Sequence, residues 1–239
     1  MLLFPTPWPA RRRSRSAQSK ILIVASQGIH TKLLNQAAQE ILVPLGLMQR
    51  GPSRMWFHDH GWWLVVVSFE SSSWSKGSYL DVAAMWLWDR KDFVSFDVGG
   101  RVEQFVSFQS EAQFAPEVRR LALSARKHVL RLREQFLDVS RTARFLHRYA
   151  SKFATPWPMF HAAMSLGYAG ETYSAEQWFK KLDQTKAGYG WHKALQDTAR
   201  EFAGLLHDSS AFRGRVREEI LATRKLLKLP EREELALFD

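Results

Sequence analysis

The chain has 239 residues, 46% of them hydrophobic and 24% charged, a balance that suits one large or two small globular domains. It contains no cysteine, which excludes disulfides, zinc ribbons, iron–sulfur clusters and cysteine nucleophiles and fits a reducing, cytoplasmic setting. The formal net charge is +10, and half of it sits in residues 1–20, where Arg11, Arg12, Arg13, Arg15 and Lys20 stand without an acid.

Pro5, Pro7 and Pro9 forbid a helix in that opening stretch, so a disordered basic tail is expected over 1–20. The apolar run Ile21–Ala25 falls short of the ~7–15 residues of a signal-peptide core. No run in the chain approaches the ~18 apolar residues of a membrane-spanning helix, so no membrane partner is expected. Residues 21–114 read as a helix followed by a sheet. Leu33, Leu34, Ala37, Ala38, Ile41, Leu42 and Leu45 recur at helical spacing, predicting a helix over 31–45 with Thr31 as its N-cap and Pro44 and Gly46 at its end. Met55–His60 and Trp62–Glu70, rich in aromatic and β-branched residues and divided by Gly61, form a hairpin signal. Tyr79–Trp88 is a further strand. Phe93–Val98 and Arg101–Phe108 read as two more, turning at Gly99–Gly100. Strands in succession without intervening helices imply an antiparallel sheet of four to five strands, with helices on one face.

From 115 to 239 only helical periodicity remains. Ala122, Ala125, Val129, Leu132, Phe136, Val139, Ala143, Leu146 and Ala150 alternate spacings of three and four, predicting one long helix over 116–150. Leu123, Leu130 and Leu137 form a second row beside it, as expected of a helix packed against both a sheet and other helices. Thr155–Pro158 breaks the pattern, and Ser174-Ala-Glu-Gln177 reads as a capping box opening a later helix. The fold class is therefore α+β: an N-terminal helix, an antiparallel sheet and an all-helical C-terminal half.

Candidate sites are few. His58-Asp59-His60 offers imidazoles suited to zinc or iron, with His58 and His60 on one strand face and Asp59 on the other. Asp81, Asp97 and Glu103 lie on or near strands, without the acid and lysine one residue apart that marks a metal-dependent nuclease centre. Nine basic side chains, Arg119, Arg120, Arg126, Lys127, Arg131, Arg133, Arg141, Arg144 and Arg148, make helix 116–150 a candidate phosphate-binding face. Six of the ten tryptophans lie in 56–88, and adjacent Trp62 and Trp63 should face opposite sides of the sheet, so some should be exposed and able to stack bases or dock a protein. No Gly-rich phosphate loop, Gly-x-Ser-x-Gly elbow or helical His-Glu-x-x-His occurs, so no catalytic residue is assigned and no cofactor is implied.

The order of features in 29–108 resembles the bacterial family named domain of unknown function 4304. The parallel rests on a helix ending in Leu45-Gly46, on Arg50-Gly51 leading into Trp56-Phe57, and on Leu64–Phe69 and Tyr79–Leu87 as successive strands. The resemblance implies a small α+β fold and donates no catalytic residues. Three readings follow. The first is a non-enzymatic module of a bacterial cell that binds another protein. The second is a nucleic-acid binder using helix 116–150 and the arginine-rich tail. The third is a metal-dependent hydrolase.

Overall fold

In a computed structural model of the chain, residues 28–232 are described. The basic tail and the run Ile21–Ala25 lie outside them. Helix α1 (Ile29–Leu42) begins two residues earlier than the spacing predicted and passes into a single 3-10 turn, Val43–Leu45. Its N-cap is Gly28, not Thr31. Thr31 Oγ1 instead accepts a hydrogen bond from Arg54 Nη2 at 2.7 Å, so its oxygen is spent on a distant guanidinium. Gly46 takes a left-handed conformation (φ 79°) and stops the element, the conformation for which glycine has no steric penalty.

Five antiparallel strands follow in sequence order: β1 (Met48–Gln49), β2 (Met55–Asp59), β3 (Trp63–Ser68), β4 (Gly77–Trp86) and β5 (Val98–Ser107). The Gly61 hairpin joins β2 and β3 as the sequence implied. The expected Gly99–Gly100 turn does not exist. Both glycines lie within β5, opposite Ala83 and Val82. A Cβ on Gly99 would stand 2.4 Å from the Val82 carbonyl oxygen at φ +117°, so glycine is there to let two strands approach. Residues 93–97 accordingly form part of a loop, pinned by the Trp86 amide, which donates to Asp97 Oδ2 at 2.7 Å.

Seven α-helices complete the described residues: α1, then α2 (Glu111–Gln135), α3 (Val139–Phe153), α4 (Pro156–Ala169), α5 (Thr172–Asp183), α6 (Gly190–Leu205) and α7 (Ser209–Leu227). The predicted helix 116–150 is thus two helices. Asp138 ends the continuity: its carboxylate accepts from the Arg141 amide at 2.7 Å and caps a new helix. The periodic row of Ala122 to Ala150 stays in phase across this break, and all its members are buried. The second row does not pack. Leu123, Leu130 and Leu137 are 45%, 44% and 68% exposed. One hydrophobic cluster runs from Leu34 through the sheet to Leu227, and the expected division at 114/115 falls inside α2.

Helices were expected on one face of the sheet, yet every residue of β3 is buried. On one face Trp63 and Trp86 meet the edge of Phe136 from the end of α2, at 5.5 and 4.9 Å between ring centroids. On the other, Phe57, Leu64 and Val66 line a groove with Val94, Leu227 and Leu229. A clasp holds α7 there. Arg224 Nη1 and Nη2 donate to the two carboxylate oxygens of Asp59 at 2.8 and 2.9 Å, and Arg224 also reaches the Gly61 carbonyl. Burial alone would raise the Asp59 pKa; the Arg224 guanidinium outweighs it and holds the group below the usual carboxylate range.

Candidate docking surface

The tryptophans of the sheet are not a surface. Trp56, Trp62, Trp63, Trp86 and Trp88 are all at most 4% exposed. Trp62 escapes the expected alternation because it lies in the turn before β3. Its ring stacks on Trp86 at 5.7 Å and on Trp88 at 5.4 Å. Trp74 is 94% exposed, but among the described residues it stacks on no other ring.

An exposed aromatic row stands instead in the helical half, outside the residues 56–88 where the tryptophans cluster in sequence. Trp157 lies in the first turn of α4, which Pro156 opens, proline being suited to a position whose amide has no helical partner. Tyr189 precedes α6 as its N-cap residue and Trp191 is that helix's second residue. The packing of the helices sets these first turns side by side. Trp157 and Trp191 stack at 6.0 Å and 10°, and Trp191 and Tyr189 at 6.5 Å and 11°. His192 lies parallel to Trp191 at 5.3 Å and His161 to Trp157 at 5.8 Å. Exposure rises along the row, from 37% at Trp157 through 43% at Trp191 to 72% at Tyr189. The row is rooted in the core through His161, whose Nδ1 accepts from Trp88 Nε1 at 3.2 Å. Burial lowers the His161 pKa to about 4; Asp97 and Lys91 nearby act in opposite directions. Rings held by their neighbours lose little freedom on binding, and Trp and Tyr dominate the energetic centres of interfaces. Lys186 and Lys193 stand close in sequence to Tyr189 and Trp191, exposed and without an ion-pair partner among the described residues. The nearest acids in sequence, Asp183 and Asp197, are both held by Arg200.

The nine basic candidates divide. Arg119 pairs with Glu40, Arg120 with Glu103 and Glu117, and Arg141 with Asp138. Arg133 turns inward, donating to the Leu45 carbonyl and, at 2.9 Å, to His58 Nδ1. Arg126, Lys127, Arg131, Arg144 and Arg148 have no ion-pair partner among the described residues. Arg126, Lys127 and Arg131 fall on α2 and Arg144 and Arg148 on α3, on either side of the break at 136–138.

His58 and His60 do come together, with Nδ1 of one 2.9 Å from Nε2 of the other. Their third neighbour is the Arg133 guanidinium, which repels a cation and donates to the same Nδ1. Burial, then His58 and Arg133, push the His60 pKa down to about 3. Asp59 faces away into its clasp. Among the described residues no group of three or more His, Asp or Glu side chains is placed to hold a metal ion. The remaining candidate acids are partnered as well: Asp81 with Arg101 at 2.8 Å, Asp97 with Lys91 at 3.1 Å, and Glu103 with Ser124 and Arg120. No helix among the described residues is long and apolar enough to cross a membrane. Comparison of the chain with family models, with curated proteins and with solved structures finds no match.

Proposed function

We propose that this chain is a non-enzymatic interaction module that binds another protein through the row Trp157, Trp191 and Tyr189. The observation that supports it most is the row's continuity. Single exposed apolar residues are ordinary on any surface, whereas three large parallel rings in contact form a rigid apolar ridge. Lys186 and Lys193, exposed and close to Tyr189 and Trp191 in sequence, favour a partner segment that carries carboxylates next to aliphatic or prolyl side chains.

A second reading, nucleic-acid binding, draws on the five basic side chains of α2 and α3 that have no ion-pair partner among the described residues. Placing a photo-crosslinking amino acid at position 189 in one sample and at 131 in another separates the two. The protein-binding reading expects a discrete protein adduct from position 189 that disappears when Trp157 and Trp191 are changed to Ala. Adducts with RNA or DNA from position 131, weakened by salt, and none with protein from 189, would overturn it.

A further inference from the structure

A cleft of about 750 Å³ opens between α3 and α5. Small-molecule sites span roughly 300–1,000 Å³. It is separate from the aromatic row, and its floor is a bridge between the two helices. Trp178 Nε1 donates to His147 Nδ1 at 3.0 Å, with the rings edge to face at 5.7 Å and 79°. Because Nδ1 accepts from the indole, the neutral imidazole carries its proton on Nε2. That N–H is the ring's remaining donor, and His147 lines the cleft.

The walls are cationic and rich in donors. Lys180 and Lys181 line the α5 side, the latter with Nζ 4.9 Å from the centroid of the Trp178 ring. Ser174 and Tyr173 add hydroxyls from α5, whereas the Ser151 hydroxyl on α3 already donates to the His147 carbonyl at 2.9 Å. No carboxylate lines the cleft. Arg144 and Arg148 lie within one turn of His147 on α3, again without an ion-pair partner among the described residues. Two lysines on a cleft whose lining includes no carboxylate set up a potential favouring an anion. A phosphate monoester matches this wall in charge, at roughly −1.5 to −2, and in its three acceptor oxygens. The Tyr173 ring, 74% exposed at the wall, offers a face for the body of the ester.

We propose that the cleft between α3 and α5 binds a small phosphate monoester, its phosphoryl oxygens held by Lys180, Lys181 and the Nε2–H of His147. The test is calorimetric titration of the full chain at low salt with four probes: a nucleoside monophosphate, a hexose phosphate, inorganic phosphate and the parent nucleoside. Binding of one or both esters is expected, with no heat from the nucleoside. The double variant Lys180→Glu, Lys181→Glu should weaken ester binding at least about tenfold, as loss of charge-assisted hydrogen bonds implies, with the chain still folded at the titration temperature because both side chains are exposed. Inorganic phosphate binding as tightly as the esters would support the phosphoryl site and identify bare phosphate as its source. A His147 ring ¹⁵N signal that moves on adding the ester would give independent support. No heat with any probe, or equal affinity in the double variant, overturns the proposal.

Discussion

The tryptophans of the sheet and those of the helical half share a chemistry and meet opposite fates. Trp62, Trp86 and Trp88 stack within 5.1 to 5.7 Å of one another and are sealed from water. Trp157 and Trp191 stack almost as closely and remain about two-fifths exposed. The difference lies in what covers them. Over the sheet, Phe136 at the end of α2 meets the Trp86 ring, and the opposite face of β3 lies towards the end of α7. A side chain in a helix's first turn has no preceding turn of its own helix beneath it, and it is buried only if another element reaches it. Stacking therefore does not distinguish core from surface; coverage does.

The largest test of this contrast is Trp86→Ala. It removes a ring that stacks on Trp62 and Trp88 and meets Phe136, leaving a cavity nothing nearby can fill. A loss of about 3–5 kcal/mol is expected in urea unfolding, with partner binding retained by the folded fraction. Next comes Asp59→Ala, which attacks coverage itself. Arg224 is 4% exposed, and without Asp59 its charge is left buried beside only carbonyl groups. Breaking one side of a buried pair costs roughly 3–5 kcal/mol. The pKa of Asp59 is depressed in the folded state, so its contribution is present above the unfolded carboxylate pKa and lost as pH falls through the folded value. The variant should accordingly show a shallower acid limb than the parent chain. A melting temperature unchanged by the substitution would mean that α7 is held without the clasp.

Much of this architecture was legible in the sequence because it follows from periodicity. The α1 stripe, the hairpin at Gly61 and the buried row from Ala122 to Ala150 each repeat with the period of their element. Features decided by distant partners were not. Asp138 capping α3 overrides an unbroken helical pattern. Gly99 reads as a turn but serves the approach of two strands. The exposed aromatic row depends on two first turns, more than thirty residues apart in sequence, lying side by side, and no local pattern encodes that. The Pro156-Trp157 and Gly190-Trp191 pairs, each opening a helix, were the available signal.

His161 sits where the buried and exposed sets meet, bonded to Trp88 on one side and stacked on Trp157 on the other. Its folded pKa of about 4 lies below the unfolded value of 6.5. The unfolded chain thus takes up a proton that the folded chain refuses, so stability is full above pH 6.5 and falls as pH drops toward 4. At pH 5 this one group costs about 2 kcal/mol. His161→Gln keeps an acceptor for the indole and removes the titration. Plotted against pH, its stability should fall less steeply than that of the parent between 6.5 and 4; parallel curves would place the titration elsewhere.

Tyr189→Ala should have the smallest effect on stability and a large one on binding. The ring is 72% exposed, so its loss falls within about 0.5 kcal/mol in unfolding. Trp74→Ala is the matched control, a ring more exposed still but stacked on nothing among the described residues. If docking depends on rings held in register, Tyr189→Ala weakens capture of the partner crosslinked at the row by at least tenfold, about 1.4 kcal/mol, while Trp74→Ala leaves it unchanged. Equal losses in both variants would mean that exposed aromatic area, wherever it lies, drives association, and the distinction between a row and a lone ring would carry no functional weight. Loss in neither would detach the row from binding altogether and leave the basic side chains of α2 and α3 as the surface to pursue.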